Sequence, residues 1–180
     1  MLKLTFFVST IIGLCTAVSA QTIQFKTYKD PVHKISFDIP SYWTIKYSKK
    51  DGLIGIPITK AQKDIFKDCF EGIVFRMDFD NYGLDTLLFQ QFDKNGNDYV
   101  TTDKVRLNVP VKFIQGQNWK GIRHDNICGV YCRDYVSHAG GECQFFYFCK
   151  GNKTVTIETN GRAFDEKFIE RLLSSFKFID

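Results

Sequence analysis

The chain has 180 residues, 44% of them hydrophobic and 16% aromatic, and a net charge of +4. That apolar content excludes a disordered chain, and four prolines with 13 glycines exclude collagen-like and low-complexity classes. The length fits one domain, large enough to bury a core without disulfide staples.

Residues 1–20 read as a secretory signal peptide. Lys3 gives the positive start, Leu4 to Leu14 form an apolar run too short to span a bilayer comfortably, and Thr16-Ala17-Val18-Ser19-Ala20 is a small-residue cleavage site. Cleavage is expected before Gln21. A lipid anchor on Cys15 is disfavoured by Leu14, which stands where such signals carry a small residue. The remaining residues, 21–180, are expected to form a single secreted or periplasmic domain with no transmembrane segment. Their bases are scattered, Lys49-Lys50 being the one adjacent pair, so nucleic-acid binding is disfavoured.

Ile23 to Tyr28 is expected to be a short strand. Ile35-Ser36-Phe37-Asp38-Ile39 and Trp43-Thr44-Ile45-Lys46-Tyr47 alternate with period two, as half-buried strands do. Leu53 to Ile58 is a further strand. Residues 59–70 are weakly helical, with Ala61, Ile65, Phe66 and Cys69 on one face. Ile73 to Phe79 is a strand, broken by Asp80 to Gly83. Leu84 to Phe92 is a helix, and Lys94-Asn95-Gly96-Asn97 a turn. Strands are expected near Tyr99–Val109 and Gln117–His124. Phe164, Phe168, Ile169, Leu172 and Leu173 form a helical stripe, and Phe176 to Ile179 a last strand.

Between them lies a cysteine-rich region. Cys128 to His138, Cys143 to Lys150 and Lys153 to Thr159 read as three strands. A two-residue Gly140-Gly141 loop would set His138 against Cys143 and Cys132 against Cys149. Gly151-Asn152 would set Cys149 beside Thr154 and Phe148 beside Val155. One face then carries Tyr131, Tyr135, Phe146, Phe148, Val155 and Ile157 and reads as the main core. The other carries Cys128, Cys132, His138, Cys143, Cys149, Thr154 and Glu158, with Phe145 and Tyr147.

Three roles compete for these cysteines. Cys132 and Cys149 could form a cross-strand disulfide, which an exported chain permits. Cys128, Cys132, Cys143 and Cys149, with His138 or His124, could bind Zn²⁺ or Cu(I), although the Cys143-x₅-Cys149 spacing is wide for zinc. They could also be small buried residues. The five cysteines left after signal removal leave at least one unpaired within the chain.

Other motifs are weaker. Asp78-x-Asp80-x-Tyr82-Gly83 begins like a calcium loop, but Phe89 stands where the bidentate Glu is needed, and a turn capped by Asp80 or Asn81 fits better. A Cys143–His138 pair at a hairpin tip is more readily incidental than reactive. Asn152-Lys153-Thr154 is a glycosylation sequon, relevant in a eukaryotic secretory pathway. No nucleophile elbow, phosphate loop or dinucleotide fingerprint occurs, and no cofactor is implied.

Phe37-x-Ile39-Pro40-x-x-Trp43, the mid-chain helix, the strand meander and the final helix leading into Ser174-Ser175-Phe176-Lys177-Phe178 together resemble the PsbP-like family. That family is named for an extrinsic photosystem II subunit and includes bacterial exported proteins and a Ran-binding nuclear protein. The resemblance spans nearly all of residues 21–180. It implies an α+β fold with an antiparallel sheet flanked by helices (an α/β/α sandwich) and non-enzymatic binding or assembly roles. Pro40 and Trp43 are turn and core residues, so no family site is carried over, and the cysteine-rich region departs from the family pattern. The expectation is an exported, non-enzymatic binding protein for an unknown protein or envelope partner. Phe145 and Tyr147 are its candidate interaction surface. The alternative is a thiol-based metal-binding or redox protein.

Overall fold

The computed structural model describes residues 23–48, 52–57, 75–102, 108–127, 130–132, 135–137, 142–159 and 166–179; side chains are described for these except 48, 53–57, 75, 127, 130–132, 135–137 and 142. The expected signal segment and the expected helix over 59–70 lie outside them.

Strands β1 (Phe25–Asp30), β2 (Ile35–Pro40) and β3 (Trp43–Ser48) follow the early alternation, and β4 (Gly52–Pro57) and β5 (Phe75–Asp80) come next. Helix α1 (Leu84–Gln91) leads into the hairpin of β6 (Phe92–Asn95) and β7 (Asp98–Thr101). Then come β8 (Lys112–Gln115), β9 (Lys120–Ile127), β10 (Val130–Cys132), β11 (Tyr135–Ser137), β12 (Glu142–Lys150) and β13 (Lys153–Thr159). Helix α2 (Glu166–Ser175) and β14 (Lys177–Phe178) close the described chain. The expected α+β class holds: among the described residues the architecture is mostly antiparallel sheet with two helices.

Seven strands form one antiparallel sheet in the order β3-β4-β5-β13-β12-β9-β8, and β1-β2-β14 form a second. The alternation along β12 divides two cores. Phe146 and Phe148 join Val155, Ile157, Met77 and Trp43 with Phe168, Ile169 and Leu172 of α2 and Ile35, Phe37 and Ile39 of β2. Tyr147 and Cys149 join Ile122 with Leu87 and Leu88 of α1 and Phe92 of β6. The expectation that β2 is half-buried is corrected: all six of its residues are buried, because β1 and β14 flank it and α2 packs on it. Asp38 within it accepts a hydrogen bond from the Thr27 hydroxyl and an ion pair from Arg171, while its backbone N–H donates to Ser175 Oγ. These partners satisfy a polar group that burial would otherwise penalise.

The segment joining β8 and β9 ties the two sheets together. Asn118 donates from Nδ2 to the Phe178 carbonyl at 2.7 Å and accepts the Phe178 N–H at 3.3 Å. Trp119 Nε1 donates to the Phe176 carbonyl at 2.8 Å, and its ring packs edge-on to Phe148.

The cysteine-rich region is assembled differently from the sequence expectation. Within the strand expected over 128–138, the described β10 and β11 pair with each other and not with β12, Val130 opposite Ser137. The neighbour of β12 is β9, with Glu142 opposite Ile127 and Cys149 opposite Lys120. The eight residues of β9 satisfy one whole edge of β12, which strands of three residues cannot do. The Gly151-Asn152 hairpin has its expected register, with Cys149 opposite Thr154, Phe148 opposite Val155 and Phe146 opposite Ile157. Strand β8 is an addition to the expectation, and of the Tyr99–Val109 strand only β7 is described.

Glu158 on β13 lies opposite both Phe145 and Arg76. Burial raises its carboxyl above the ordinary value, Arg76 opposes this, and Asp78 adds to it. A folded-state value above the unfolded one makes the ionised carboxylate a stability cost at neutral pH. That cost fades as pH falls through the folded value toward the ordinary carboxylate range, about 4. Glu158→Gln is therefore expected to raise the melting temperature at neutral pH, with the gain vanishing near pH ~4; melting curves of both proteins across this range check it.

Candidate functional site

Of the expected disulfide pair, Cys149 is a buried free thiol. The Cys132–Cys149 bond is corrected by register, since Lys120 and Thr154 occupy the positions beside Cys149. Thr154 donates its one hydroxyl proton to the Tyr82 carbonyl at 2.7 Å, so at 3.3 Å the Cys149 thiol is the donor to Thr154 Oγ1. Burial pushes the thiol pKa up. Cys143 is buried and disulfide-bonded, to a partner outside the described side chains. Alkylation without reductant is thus expected to label Cys149 after denaturation but not Cys143, with native labelling of Cys149 at least about tenfold slower; peptide mapping by mass spectrometry reads both.

The expected four-cysteine metal set also meets a geometric limit. Cys143 and Cys149 lie six residues apart on one continuous strand. At about 3.4 Å per residue they are some 20 Å apart, so they cannot share an ion. Cys128, His138 and the Cys132 side chain lie outside the described atoms. Among the described residues no group of three or more His, Cys, Asp or Glu converges as a metal site would.

Tyr147 and Phe145, the expected interaction surface, lie in the layer beneath α1 and the β6–β7 hairpin. Tyr147 is buried, with Phe92 edge-on to its ring, and Phe145 is half-buried, stacked on His124 at 4.9 Å. Burial of the phenol raises the Tyr147 pKa well above that of a free tyrosine. The period-two pattern shows which face these rings share, but the helix covering that face comes from a segment over fifty residues earlier in the chain.

The two described histidines, His33 and His124, pack within the local structure. Asp30 Oδ1 accepts the N–H groups of Val32 and His33, and Asp30 Oδ2 pairs with His33 Nδ1 at 2.6 Å. The His33 ring stacks on Phe79 at 3.6 Å. His124 is buried among Phe92, Phe145 and Tyr147. The calcium-loop pattern dissolves similarly: Asp78 pairs with Arg76 at 3.2 Å, and Asp80 accepts the Tyr82 hydroxyl at 3.0 Å. Burial, then Asp80, pushes the Tyr82 pKa up to about 12. The cap of α1 is Gly83, without a side-chain cap bond, in place of the expected Asp80 or Asn81.

Two concave surfaces lie at one end of the large sheet. A cleft of about 680 Å³ is walled by the first turn of α1, by Gln115–Lys120 and by Cys149–Asn152. A second, of about 550 Å³, lies between Lys34, Asn81, the 150–153 turn and Phe178–Ile179. Lys150, Gly151 and Asn152 line both. Backbone contact brings the walls together: a Cβ on Gly83 would lie 2.4 Å from the Gly151 carbonyl oxygen, so α1 can start this close to the turn only from glycine. Both volumes suit small ligands, both clefts are open, and the larger one is lined mainly by polar surface. Residues near 34, 81–86, 115–120, 150–153 and 178 are far apart in sequence. The Gly151-Asn152 turn was the one part of this surface visible in the sequence.

No protein-family model matches the sequence, and no curated protein matches it. Among solved structures, the solution structure of cyanobacterial PsbP (CyanoP) from Synechocystis sp. PCC 6803 is similar at 10% identity and TM-score 0.49, over 93% of this chain and 98% of that one. A crystal structure from Bacteroides thetaiotaomicron VPI-5482 is similar at 13% identity and TM-score 0.40, over 88% of this chain and 50% of that chain, so this chain spans half its length. Both likenesses concern the fold alone, and the first is to a protein of the family that the sequence resembles.

Proposed function

We propose that the chain is an exported, single-domain binding or assembly protein without catalytic activity, with a PsbP-like α/β/α arrangement. Its ligand-facing surface is the sheet end around Gly151 and Asn152. The observation that carries this reading is the pair of adjoining clefts, of about 680 and 550 Å³, that share the turn between β12 and β13. The two described histidines line neither cleft, and the one thiol there is buried and hydrogen-bonded into the scaffold. Export is supported by the signal-like residues 1–20 and by the bonded state of Cys143, which suits an oxidising compartment. Among the described residues no helix is long and apolar enough to cross a membrane. The partner belongs to the envelope or the exterior.

The test is a thermal-shift panel of neutral sugars, nucleotides, dicarboxylates and phosphates on the exported full chain, run beside Asn152→Trp, which fills the clefts from an exposed turn position. A ligand that raises the melting temperature of the wild type by several degrees and not that of the variant supports the reading. Ligands acting equally on both proteins, or none acting, contradict it. N-terminal sequencing of the exported material is expected to begin at Gln21.

A further inference from the structure

The charge around the two clefts is one-sided. Lys34, Lys120, Lys150 and Lys153 line them, whereas Asp85 is the one carboxylate among the residues that do. Lys34, Lys120 and Lys153 have no carboxylate partner among the described residues. These cations are drawn from three separate places in the chain: the β1–β2 turn, the start of β9 and the β12–β13 hairpin. Lys120 lines the larger cleft, Lys34 and Lys153 the smaller and Lys150 both, so their gathering around the shared turn is a product of the fold.

We propose that this double cleft binds an anionic ligand bearing phosphate groups. The inference rests on the binding reading above and names the ligand class for the same surface. Clefts lined by one sign of charge concentrate the field and attract counter-charged groups more strongly than a flat surface does. The first turn of α1 forms a wall of the larger cleft, and Gly83 offers no side-chain cap, so the positive end of that helix adds to the lysines. A single anion would meet one or two of these groups. Two adjoining clefts suit a ligand with separated negative charges, such as a pyrophosphate or a phosphate ester, whether free in solution or in a lipid headgroup.

The experiment titrates the exported full chain with inorganic pyrophosphate by calorimetry, and separately with vesicles of phosphatidylglycerol or phosphatidylcholine by co-sedimentation. The variants are Lys34→Gln with Lys120→Gln, and a charge-matched control, Lys94→Gln with Lys112→Gln, exposed positions that line neither cleft. The expected result is binding that weakens about tenfold in the cleft pair, holds within about twofold in the control pair, and falls with added salt. Pyrophosphate binding with that dependence assigns a free phosphate-bearing ligand; binding to phosphatidylglycerol vesicles alone, with the same dependence, assigns a lipid headgroup. No binding to either probe, or equal loss in both pairs, overturns the proposal. A neutral ligand whose effect is abolished by Asn152→Trp would then leave the binding reading standing, and the absence of one would remove both.

Discussion

Phe148→Ala is expected to cost about 3–5 kcal/mol, enough to remove a large share of the stability of a domain whose total is about 5–15 kcal/mol. Phe148 is fully buried at the junction of the two sheets. Its ring stacks on Phe176 at 3.9 Å and meets Trp119 edge-on at 4.7 Å. Truncation removes the transfer energy of a large ring and leaves a cavity whose walls cannot collapse. Trp119 is held by its bond to the Phe176 carbonyl, and Phe176 by its backbone bond to Leu172. Phe89→Ala is the contrast: that ring is 89% exposed on α1, and its loss is expected to change stability by less than about 0.5 kcal/mol. Urea unfolding of the three proteins checks both values, and equal losses would contradict the assignment of the core.

Gly121→Ala is expected to be comparably severe, about 3 kcal/mol. A Cβ at this position would lie 1.8 Å from the Tyr147 carbonyl oxygen and 3.0 Å from its carbon. These are backbone atoms of β12, so no side-chain rotation relieves the clash. Gly121 pairs with Phe148 in the β9–β12 ladder and with Ile114 of β8, so the strain would open the sheet at its junction with the larger cleft. Gly96→Ala is the comparison. It lies at a hairpin tip with open space around its Cβ, and the cost there comes only from its left-handed backbone, about 1 kcal/mol. The ranking of the two melting temperatures is the readout.

Much of the fold was legible because local pattern and burial agree. Ile35 to Ile39 and Trp43 to Tyr47 carry period-two alternation, and Phe168, Ile169 and Leu172 carry the helical stripe; each becomes the element expected. The even and odd residues of β12 also lie on the two faces that alternation predicts. The partner of β12 differs from the expectation because Gly140-Gly141 is a local hairpin signal, while the choice of β9 depends on ladder length. The hairpin register sets Cys132 beside Cys149 and so implies a thiol cluster, whereas the observed ladder sets Lys120 and Thr154 there. The covering of Tyr147 by α1 was hidden for a related reason: alternation says which side chains share a face and is silent on what packs against it. The clefts were least legible, since Lys34, Lys120 and Lys153 are ordinary surface lysines until the topology gathers them.

The most direct measurement is amide chemical-shift mapping of the full chain with any ligand that passes the thermal-shift panel. Shifts concentrated at 83–86, 115–120 and 149–153 are expected, with the Phe89 and Phe113 surroundings quiet. Shifts centred on those exposed aromatic rings, with the Gly151-Asn152 turn unmoved, would contradict the assignment of the sheet end as the binding surface.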